Sequence, residues 1–552
     1  MSNSLFRRKD VSKAIQESES GDKSQSLARI LGVRDLTVLG IAAIIGAGIF
    51  STIGLASFNG GPAVSLLFVF VAIACVFTAL SYAQFASMVP VSGSAYTYAY
   101  VSFGEVLAWI IGWALILEYA VSNMVVAISW SSYFVSMLAG FGIKFPMWLA
   151  IDYTSAKEAY QAVKAGGAGI TSGDQLLATA FSEAPDLGFI KVIFNLPAGL
   201  ITVLITSLCY IGIKETRNAS NILVALKMGV ILLVILAGAF YIKPANWSPF
   251  APNGIEGVLS GVASVFFAFI GFDSISTTAE EAKNPQKDLP RAMLLCLLIC
   301  TVLYVLITTV LTGMVNYKEL NVADPLAYVF SKVGFDFVAG VISVSAVVAI
   351  TSALLAYQIG QPRIWMAMSR DGLIGKKFGE IHPKFKTPGF ATIVTGFLVA
   401  VPSLFFKMSF FVDLTSVGTF FAFILVCAGV LYLDTKGLSK DAKFKIPYIN
   451  AKYLTALLML VALYMTYRNG NLVQHLEARP LLVVFWLVWL TLSVFSFKHN
   501  FSLLPVLGIL TNLYLMTELG WSNWRMFIIW MLLGLVIYFT YGYQNSKLAK
   551  QS

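Results

Sequence analysis

Two glycines that are two residues apart, Gly46 and Gly48, lie inside an apolar run that extends from Leu36 to Phe58. Each glycine destabilises a helix interior by about 1 kcal/mol relative to alanine, so the pair favours an interruption there. In hydrocarbon, freed main-chain groups are tolerated only where they line a cavity or contact a ligand. Amides at the start of a half-helix attract anions. We therefore expect this segment to bind a carboxylate, and an amino acid would supply one.

Lys227 is a charged residue deep within another apolar run. It lies nine positions after Asn218, the end of the preceding polar loop, which is about 13 Å along a helix. A lysine side chain spans only part of that distance. Two interpretations stand: a structural cation that donates to carbonyls, or an amine that exchanges its proton as the site opens and closes. The natural acceptors are the loosened carbonyls of the Gly46–Gly48 interruption and the hydroxyls of Thr351 and Ser352.

Two acidic residues also fall within apolar runs. Glu118 lies near the middle of its run, where a carboxylate must be partnered or protonated. It either binds a proton for transport or braces neighbouring helices. Asp273 follows Gly271 in a second interrupted run, and we expect it to cap the half-helix that follows.

The composition identifies the elements that hold these residues. The chain has 552 residues, of which 58% are hydrophobic and 12% are charged, and its mean hydropathy is +0.79. These values are typical of a polytopic membrane protein. We predict fourteen membrane-spanning runs, numbered segments 1 to 14: 35–57, 62–89, 103–139, 192–213, 220–242, 256–280, 291–315, 336–366, 389–406, 410–433, 453–468, 480–497, 501–518 and 523–543.

These segments predict a ten-helix core followed by four further helices. The predicted parts are a cytosolic tail (1–34), the core (35–433) with an extracellular loop (142–191), a cytosolic loop (434–452), four additional spans (453–543) and a cytosolic tail (544–552). The interrupted segments 1 and 6 each begin a block of five, which is typical of inverted repeats with a substrate between them.

The basic residues indicate the orientation of the chain. Most of the 38 lysine and arginine residues fall in the loops on the same side as both termini, which predicts cytosolic termini in the cell membrane. The net charge of +10 therefore reflects membrane orientation, and we expect no nucleic-acid partner.

No residue pattern indicates catalysis. The three histidines lie in loops or at helix ends, and the five cysteines lie in apolar runs. No spacing suggests a metal site, and no phosphate-binding loop is present. We therefore expect neither an enzyme nor an ATP-driven pump, and no metal or cofactor.

Several motifs occur in the order that is found in a known family. They include Gly46-Ala47-Gly48-Ile49-Phe50, Leu117-Glu118-Tyr119, Phe269-Ile270-Gly271-Phe272-Asp273 and Met368-Ser369-Arg370-Asp371-Gly372. From about Gly32 to Tyr543, the chain resembles the amino acid–polyamine–organocation (APC) superfamily and, within it, the cationic amino acid transporter (CAT) family. The resemblance implies an all-α membrane protein with two inverted five-helix repeats, broken segments 1 and 6, and alternating access.

The resemblance also implies roles for individual residues. The substrate carboxylate should meet the amides of Ala47 and Gly48. Its ammonium group should meet three main-chain carbonyls, those of Ile44, Phe267 and Ile270. Lys227 resembles a lysine that replaces a bound sodium ion in proton-coupled relatives, so Lys227 and Glu118 are the candidate proton-coupling residues.

The side chains near these positions favour one class of substrate. Phe267, Ile270 and Ile350 suggest an apolar lining, so we expect proton-coupled uptake of small neutral amino acids such as alanine. Cationic amino acids are the alternative substrates. A buried lysine or arginine side chain requires an acidic partner, and Glu118 is the obvious candidate. An uncoupled exchanger and an amino-acid sensor are the alternative functions. The expected partners are the amino acid, the proton and the lipid bilayer, and an accessory subunit stays an open question.

Overall fold

Helices form the regular secondary structure of the described part of the chain. The computed structural model describes residues 7–8, 31–88, 94–166, 172–188, 191–212, 217–322, 324–439, 442–469 and 480–551. These ranges contain no β-strand beyond isolated bridges, so the predicted all-α fold is confirmed. Most of the predicted tail 1–34 lies outside the described residues.

Helices lie on all fourteen predicted segments. Their bounds, in chain order, are Val33–Ile44 with Gly48–Thr52 and Ile53–Gly60 (segment 1), Val64–Met88 (2), Glu105–Gly140 (3), Leu196–Ile211 (4), Arg217–Ala239 (5), Gly254–Leu259 with Val262–Phe267 and Phe272–Glu281 (6), Pro285–Met314 (7), Asp336–Arg370 (8), Gly389–Phe405 (9), Met408–Thr435 (10), Leu454–Asn469 (11), Leu481–His499 (12), Leu503–Thr517 (13) and Trp521–Ile537 with Tyr538–Gly542 (14). Segments 1 and 6 are each composed of separate helical pieces.

Shorter helices connect the segments. They are Gly61–Ala63, Ser94–Ser102, Met147–Leu149, Tyr153–Lys164, Ser172–Glu183, Pro244–Trp247, Tyr317–Glu319, Pro325–Lys332, Lys376–Gly379, Tyr543–Asn545 and Lys547–Gln551. The sequence did not predict Ser94–Ser102, because this buried helix is too short to show a helical period of its own. The predicted loop 142–191 contains three of these helices, and its residues 167–171 and 189–190 are outside the described ranges.

Burial separates a central group of segments from a peripheral one. In segment 3, 94% of the most apolar stretch is buried, and in segment 10 the value is 78%. The corresponding values are 17% for segment 12 and 22% for segment 14. A helix that is apolar all round and buried must lie at the centre of a bundle, whereas an apolar exposed one faces lipid. The core therefore sits around segments 3 and 10.

The two broken segments run in opposite directions beside each other. Near Val33, which we call the inner end after the predicted orientation, the Lys283 amide at the end of segment 6 donates to the Leu31 carbonyl at 2.8 Å. Toward Gly60, the outer end, the Thr52 hydroxyl donates to the Ser264 carbonyl at 3.0 Å. This antiparallel arrangement brings the middle of segment 1 to the middle of segment 6.

Candidate substrate site at the two helix breaks

Segment 1 breaks at the predicted glycines. The inner piece ends at Ile44, and Ile45 takes an extended conformation with φ −77° and ψ 94°. The outer piece begins with a π-helical turn, a form that often marks functional sites. Its Phe50 amide donates to the Gly46 carbonyl at 3.4 Å. The amides of Ala47 and Gly48 therefore precede the first turn of the outer piece, where helix amides have no intrahelical acceptor.

Segment 6 breaks between Phe267 and Phe272. The helix that ends at Phe267 is followed by turns, and a 3-10 helix starts at Phe272. Gly271 has φ +118°, and a Cβ atom there would lie 2.8 Å from the Ala43 carbonyl oxygen of segment 1. Only glycine satisfies both the dihedral angle and the close approach. Asp273 is buried in the first turn of the inner piece, where a carboxylate suits the partial positive charge of a helix N-terminus.

The two breaks are in direct contact. A Cβ atom at Gly48 would lie 2.4 Å from the Ala268 Cα atom, so the two main chains touch at this position. Tyr304 of segment 7 joins them: its hydroxyl lies 2.8 Å from the Ala268 carbonyl and 3.2 Å from the Ile44 carbonyl. One hydroxyl has one proton, so the two carbonyls share this donor. Tyr304 could not be predicted from the sequence, because a tyrosine in an apolar run is usually a packing residue.

Lys227 of segment 5 is completely buried against segment 1. Its Nζ atom donates to the carbonyls of Ala42 and Ile45, both at 3.0 Å. In an unbroken helix these carbonyls would accept from amides four residues further along. The amine therefore replaces donors that the break removes, and the acceptors are the segment 1 carbonyls that the sequence indicated.

The predicted hydroxyls of segment 8 lie on the same helix as Ile350. The Thr351 hydroxyl donates to the Val347 carbonyl at 2.7 Å and accepts from the Trp130 indole at 2.8 Å. The Ser352 hydroxyl donates to the Ala349 carbonyl at 2.9 Å. Thr351 therefore also ties segment 8 to segment 3.

The predicted substrate-binding side chains are apolar and buried. Ile44, Phe267, Ile270 and Ile350 are each at most 4% exposed.

Two of the three main-chain carbonyls predicted to accept from the substrate ammonium group already accept hydrogen bonds. The Ile44 carbonyl accepts from Tyr304, and the Phe267 carbonyl accepts from the Ile270 amide at 3.3 Å. Since a carbonyl oxygen has two lone pairs, each can accept a second donor.

Glu118 of segment 3 is buried near the second break. It is 2% exposed, its side chain is hydrogen-bonded by Thr419, and it interacts electrostatically with Asp273 of segment 6. Its main-chain carbonyl accepts from the Thr415 hydroxyl at 3.2 Å. The sequence indicated both acidic residues but not their proximity, because segments 3 and 6 are far apart in the chain.

Known proteins are similar to this chain in sequence. The model of the amino acid permease family matches residues 31–492, and the model of the permease C-terminus matches residues 502–546. The branched-chain amino acid permease BcaP of Bacillus subtilis is 39% identical over 552 residues, which cover 99% of this chain and 100% of the relative.

Two other relatives show the range of named substrates. The methylthioribose transporter of Bacillus subtilis is 36% identical over 99% of this chain and 100% of its own length. The vacuolar cationic amino acid transporter 2 of Arabidopsis thaliana is 31% identical over 99% of this chain and 93% of its own length. These relatives are named as transporters or permeases rather than enzymes, and they agree with the resemblance to the CAT family within the APC superfamily. The chain belongs to the amino acid permease family of multi-pass membrane transporters.

Proposed function

We propose that this protein imports neutral amino acids across the cell membrane by alternating access, driven by protons. The observation that carries this proposal is the contact between two helix breaks, at Gly48 and Ala268, with the buried amine of Lys227 on the carbonyls beside the first break. The breaks offer main-chain amides that precede a helix and carbonyl oxygens with a lone pair left to accept a further donor, which are the groups that a zwitterion requires.

The main chain would recognise the part that all amino acids share. The amides of Ala47 and Gly48 at the start of the outer piece of segment 1 suit the carboxylate, because a helix N-terminus carries partial positive charge. The carbonyls of Ile44, Phe267 and Ile270 suit the ammonium group. In this mode the binding of the zwitterion does not depend on the amino-acid side chain.

The apolar side chains at the predicted substrate-binding positions would select the side chain of the substrate. Ile350, Phe267 and Ile270 are buried among other apolar residues, and an apolar lining disfavours a charged side chain. We therefore favour neutral aliphatic substrates, with alanine as the first candidate. The name of BcaP supports branched-chain amino acids as neutral alternatives. Cationic substrates stay the alternative, because Glu118 and Asp273 lie at the second break.

Lys227 would couple the proton to the conformational change. A protonated amine has three donors, and two of them hold carbonyls of segment 1 in place. Loss of the proton removes the charge that strengthens these bonds and so loosens the inner piece of segment 1. An ammonium group at this position also opposes a sodium ion there by charge repulsion.

Uptake into proteoliposomes tests the proposal. A pH gradient, acidic outside, should drive accumulation of radiolabelled alanine without sodium. Competition by each of the twenty amino acids should show inhibition by neutral aliphatic ones and little by lysine or arginine. A requirement for sodium together with indifference to the pH gradient would overturn proton coupling. Strong inhibition by arginine would instead support the cationic alternative.

Two further outcomes distinguish the other candidate functions. An uncoupled exchanger would accelerate strongly when unlabelled amino acid is present inside and would ignore pH. A sensor would bind the amino acid without flux.

Access of a protease to an epitope at each terminus, in right-side-out and inverted vesicles, tests the proposed cytosolic location of both termini.

A further inference from the structure

Segment 3 presents a row of hydroxyl groups to the outer piece of segment 1. Ser129, Tyr133 and Ser136 are spaced by four and three residues, so they lie on one face of a helix. The Ser129 and Ser51 hydroxyls share a hydrogen bond. The Tyr133 hydroxyl donates to the Phe50 carbonyl at 2.6 Å. These two contacts fix the outer piece of segment 1 against segment 3.

The third hydroxyl of this row holds a loop helix. Ser136 donates to the carboxylate of Asp324, which stands at the N-terminus of the helix Pro325–Lys332 between segments 7 and 8. The same loop packs on segment 1, since a Cβ atom at Gly54 would lie 2.5 Å from the Leu320 carbonyl oxygen. Pro325, the first residue of the loop helix, lies 3.1 Å from the same Cβ position, so the helix packs on the outer piece of segment 1 and is attached to segment 3 through Asp324.

No basic side chain of the described residues forms an ion pair with Asp324. Within its loop, Lys332 pairs with Glu319 at 2.9 Å, and Lys318 is exposed. Segment 3 contributes Tyr133, which lies within electrostatic range of Asp324. Segment 8 begins with the exposed Asp336. The outer piece of segment 1 (residues 48–60) and the outer part of segment 3 with the residues that follow it (119–143) contain no charged residue.

This environment makes the ionised carboxylate unfavourable while the loop is closed. Although part of its surface is exposed, Asp324 is surrounded by protein, and this burial raises its pKa from 3.8 to about 6. The hydrogen bond from Ser136 offsets part of that rise. If the loop helix lifts, water reaches the carboxylate and its pKa returns toward the ordinary value.

Proton binding by Asp324 therefore favours the closed position of the loop helix. The closed conformation has the higher pKa, so closing takes up a proton between the ordinary and the raised value. The contribution of Asp324 protonation to closure is fully present below about pH 4. It is lost as the external pH rises through about 6. A difference of two pKa units corresponds to a change of about a hundredfold in the closing equilibrium.

We propose that Asp324 is a proton-binding site on the outer face, which closes the loop helix over segment 1 when the external solution is acidic. This inference rests on the proposed alternating access. The proton binds and leaves from the same side, so it does not contribute to the number of protons carried per substrate. It adjusts the outer gate to external pH separately from the coupling assigned to Lys227.

Thiol labelling tests this proposal without any transport measurement. Ser57 lies one turn beyond Gly54 and is fully buried, next to an outer cavity of about 450 Å³ lined by its neighbours Phe58 and Asn59. The five native cysteines are buried, which keeps background labelling low. Ser57→Cys is labelled in intact cells with a membrane-impermeant thiol reagent, and its rate is divided by that of Lys144→Cys, an exposed position, to remove the intrinsic pH dependence.

With Asp324 present, the ratio should rise with external pH through a midpoint near 6, by up to about a hundredfold. Asp324→Asn resembles the neutral acid and should give a low, pH-independent ratio. Asp336→Asn is the matched control and should keep the wild-type curve. Ser136→Ala removes the donor that favours the ionised form, so its midpoint should move to higher pH.

An unchanged pH curve in Asp324→Asn would overturn the proposal, as would a flat ratio in the protein that retains Asp324. The labelling result is independent of proton coupling. If labelling follows pH as expected but a pH gradient drives no uptake, only the proposed function fails. If uptake is driven and labelling ignores pH, only the role of Asp324 fails.

Discussion

At the scale of single residues, the Lys227 amine and the carbonyls of segment 1 supply each other with hydrogen-bond partners. A fully buried ammonium group is unfavourable without acceptors, and the carbonyls of Ala42 and Ile45 have lost their helical donors at the break. The two hydrogen bonds of 3.0 Å give the ammonium group its acceptors and give each carbonyl a donor. Removal of either partner therefore leaves the other unsatisfied, which makes this contact a sensitive point for mutation.

Lys227→Ala should abolish pH-driven uptake. The substitution leaves two buried carbonyls without their donor, each at about 1–3 kcal/mol, and it removes the titrating amine. The measurement is accumulation of alanine in proteoliposomes with an imposed pH gradient. Lys243→Ala, at an exposed position just after the same segment, is the control and should behave as wild type. Normal accumulation by Lys227→Ala would remove the role assigned to its amine.

Tyr304→Phe should slow transport several-fold with little loss of folded protein. The phenyl ring retains the packing against Phe68 and Phe269, whereas the donor shared by the two breaks is lost. The initial rate of uptake at saturating substrate, compared with thermal unfolding in detergent, separates these effects. The control is Tyr464→Phe, on an exposed face of segment 11. An unchanged maximal rate would contradict a positioning role for the hydroxyl.

At the scale of elements, the breaks depend on glycine for two different reasons. At Gly48 the main chain of segment 6 is too close for a side chain. At Gly271 the close approach to Ala43 is combined with a positive φ. The inner piece of segment 6 can therefore begin where it does only because residue 271 lacks a Cβ atom.

Gly271→Ala should destabilise the protein and impair uptake. The positive φ alone disfavours alanine by about 1–2 kcal/mol, and the contact with the Ala43 carbonyl adds to this. Gly229→Ala in segment 5, where a Cβ atom meets nothing within 4 Å, should be tolerated. Thermal unfolding of both purified variants decides the matter, and equal midpoints would show that segment 6 tolerates a different backbone at its break.

The sequence predicted the elements better than the contacts between them. The spans follow from apolar length, and the break in segment 1 follows from Gly46 and Gly48, because both signals are local in the chain. The depth of Lys227 could also be counted along one helix. Tyr304 and the proximity of Glu118 to Asp273 could not be predicted, since they depend on how distant segments pack.

At the scale of the whole molecule, a polar contact joins the central segments to the peripheral ones. Asn512 of segment 13 is fully buried, and its amide donates to the Thr78 hydroxyl of segment 2 at 2.7 Å. The same group donates to the Gly508 carbonyl at 2.6 Å. Since segment 2 belongs to the predicted core, this contact attaches the additional helices to it.

Asn512→Leu should lower stability without changing the apparent affinity for substrate. The loss of a buried hydrogen bond typically removes about 1 kcal/mol, and the site at the two breaks is formed by other segments. Thr540→Leu, an exposed threonine whose hydroxyl bonds only within its own helix, is the control. Detergent unfolding and the KM of uptake are the two measurements, and a changed KM with unchanged stability would contradict this assignment.

The hydrogen bonds to the carbonyls of Ala42 to Ile45 should limit passive leakage through the protein. Three of their four carbonyls accept from side chains of two other segments, Lys227 and Tyr304. The inner piece of segment 1 is therefore fastened on two sides, and it cannot swing away alone without breaking several bonds together. While these bonds are intact, the inner piece of segment 1 stays in place, so passive leakage of ions and metabolites along this pathway should be low.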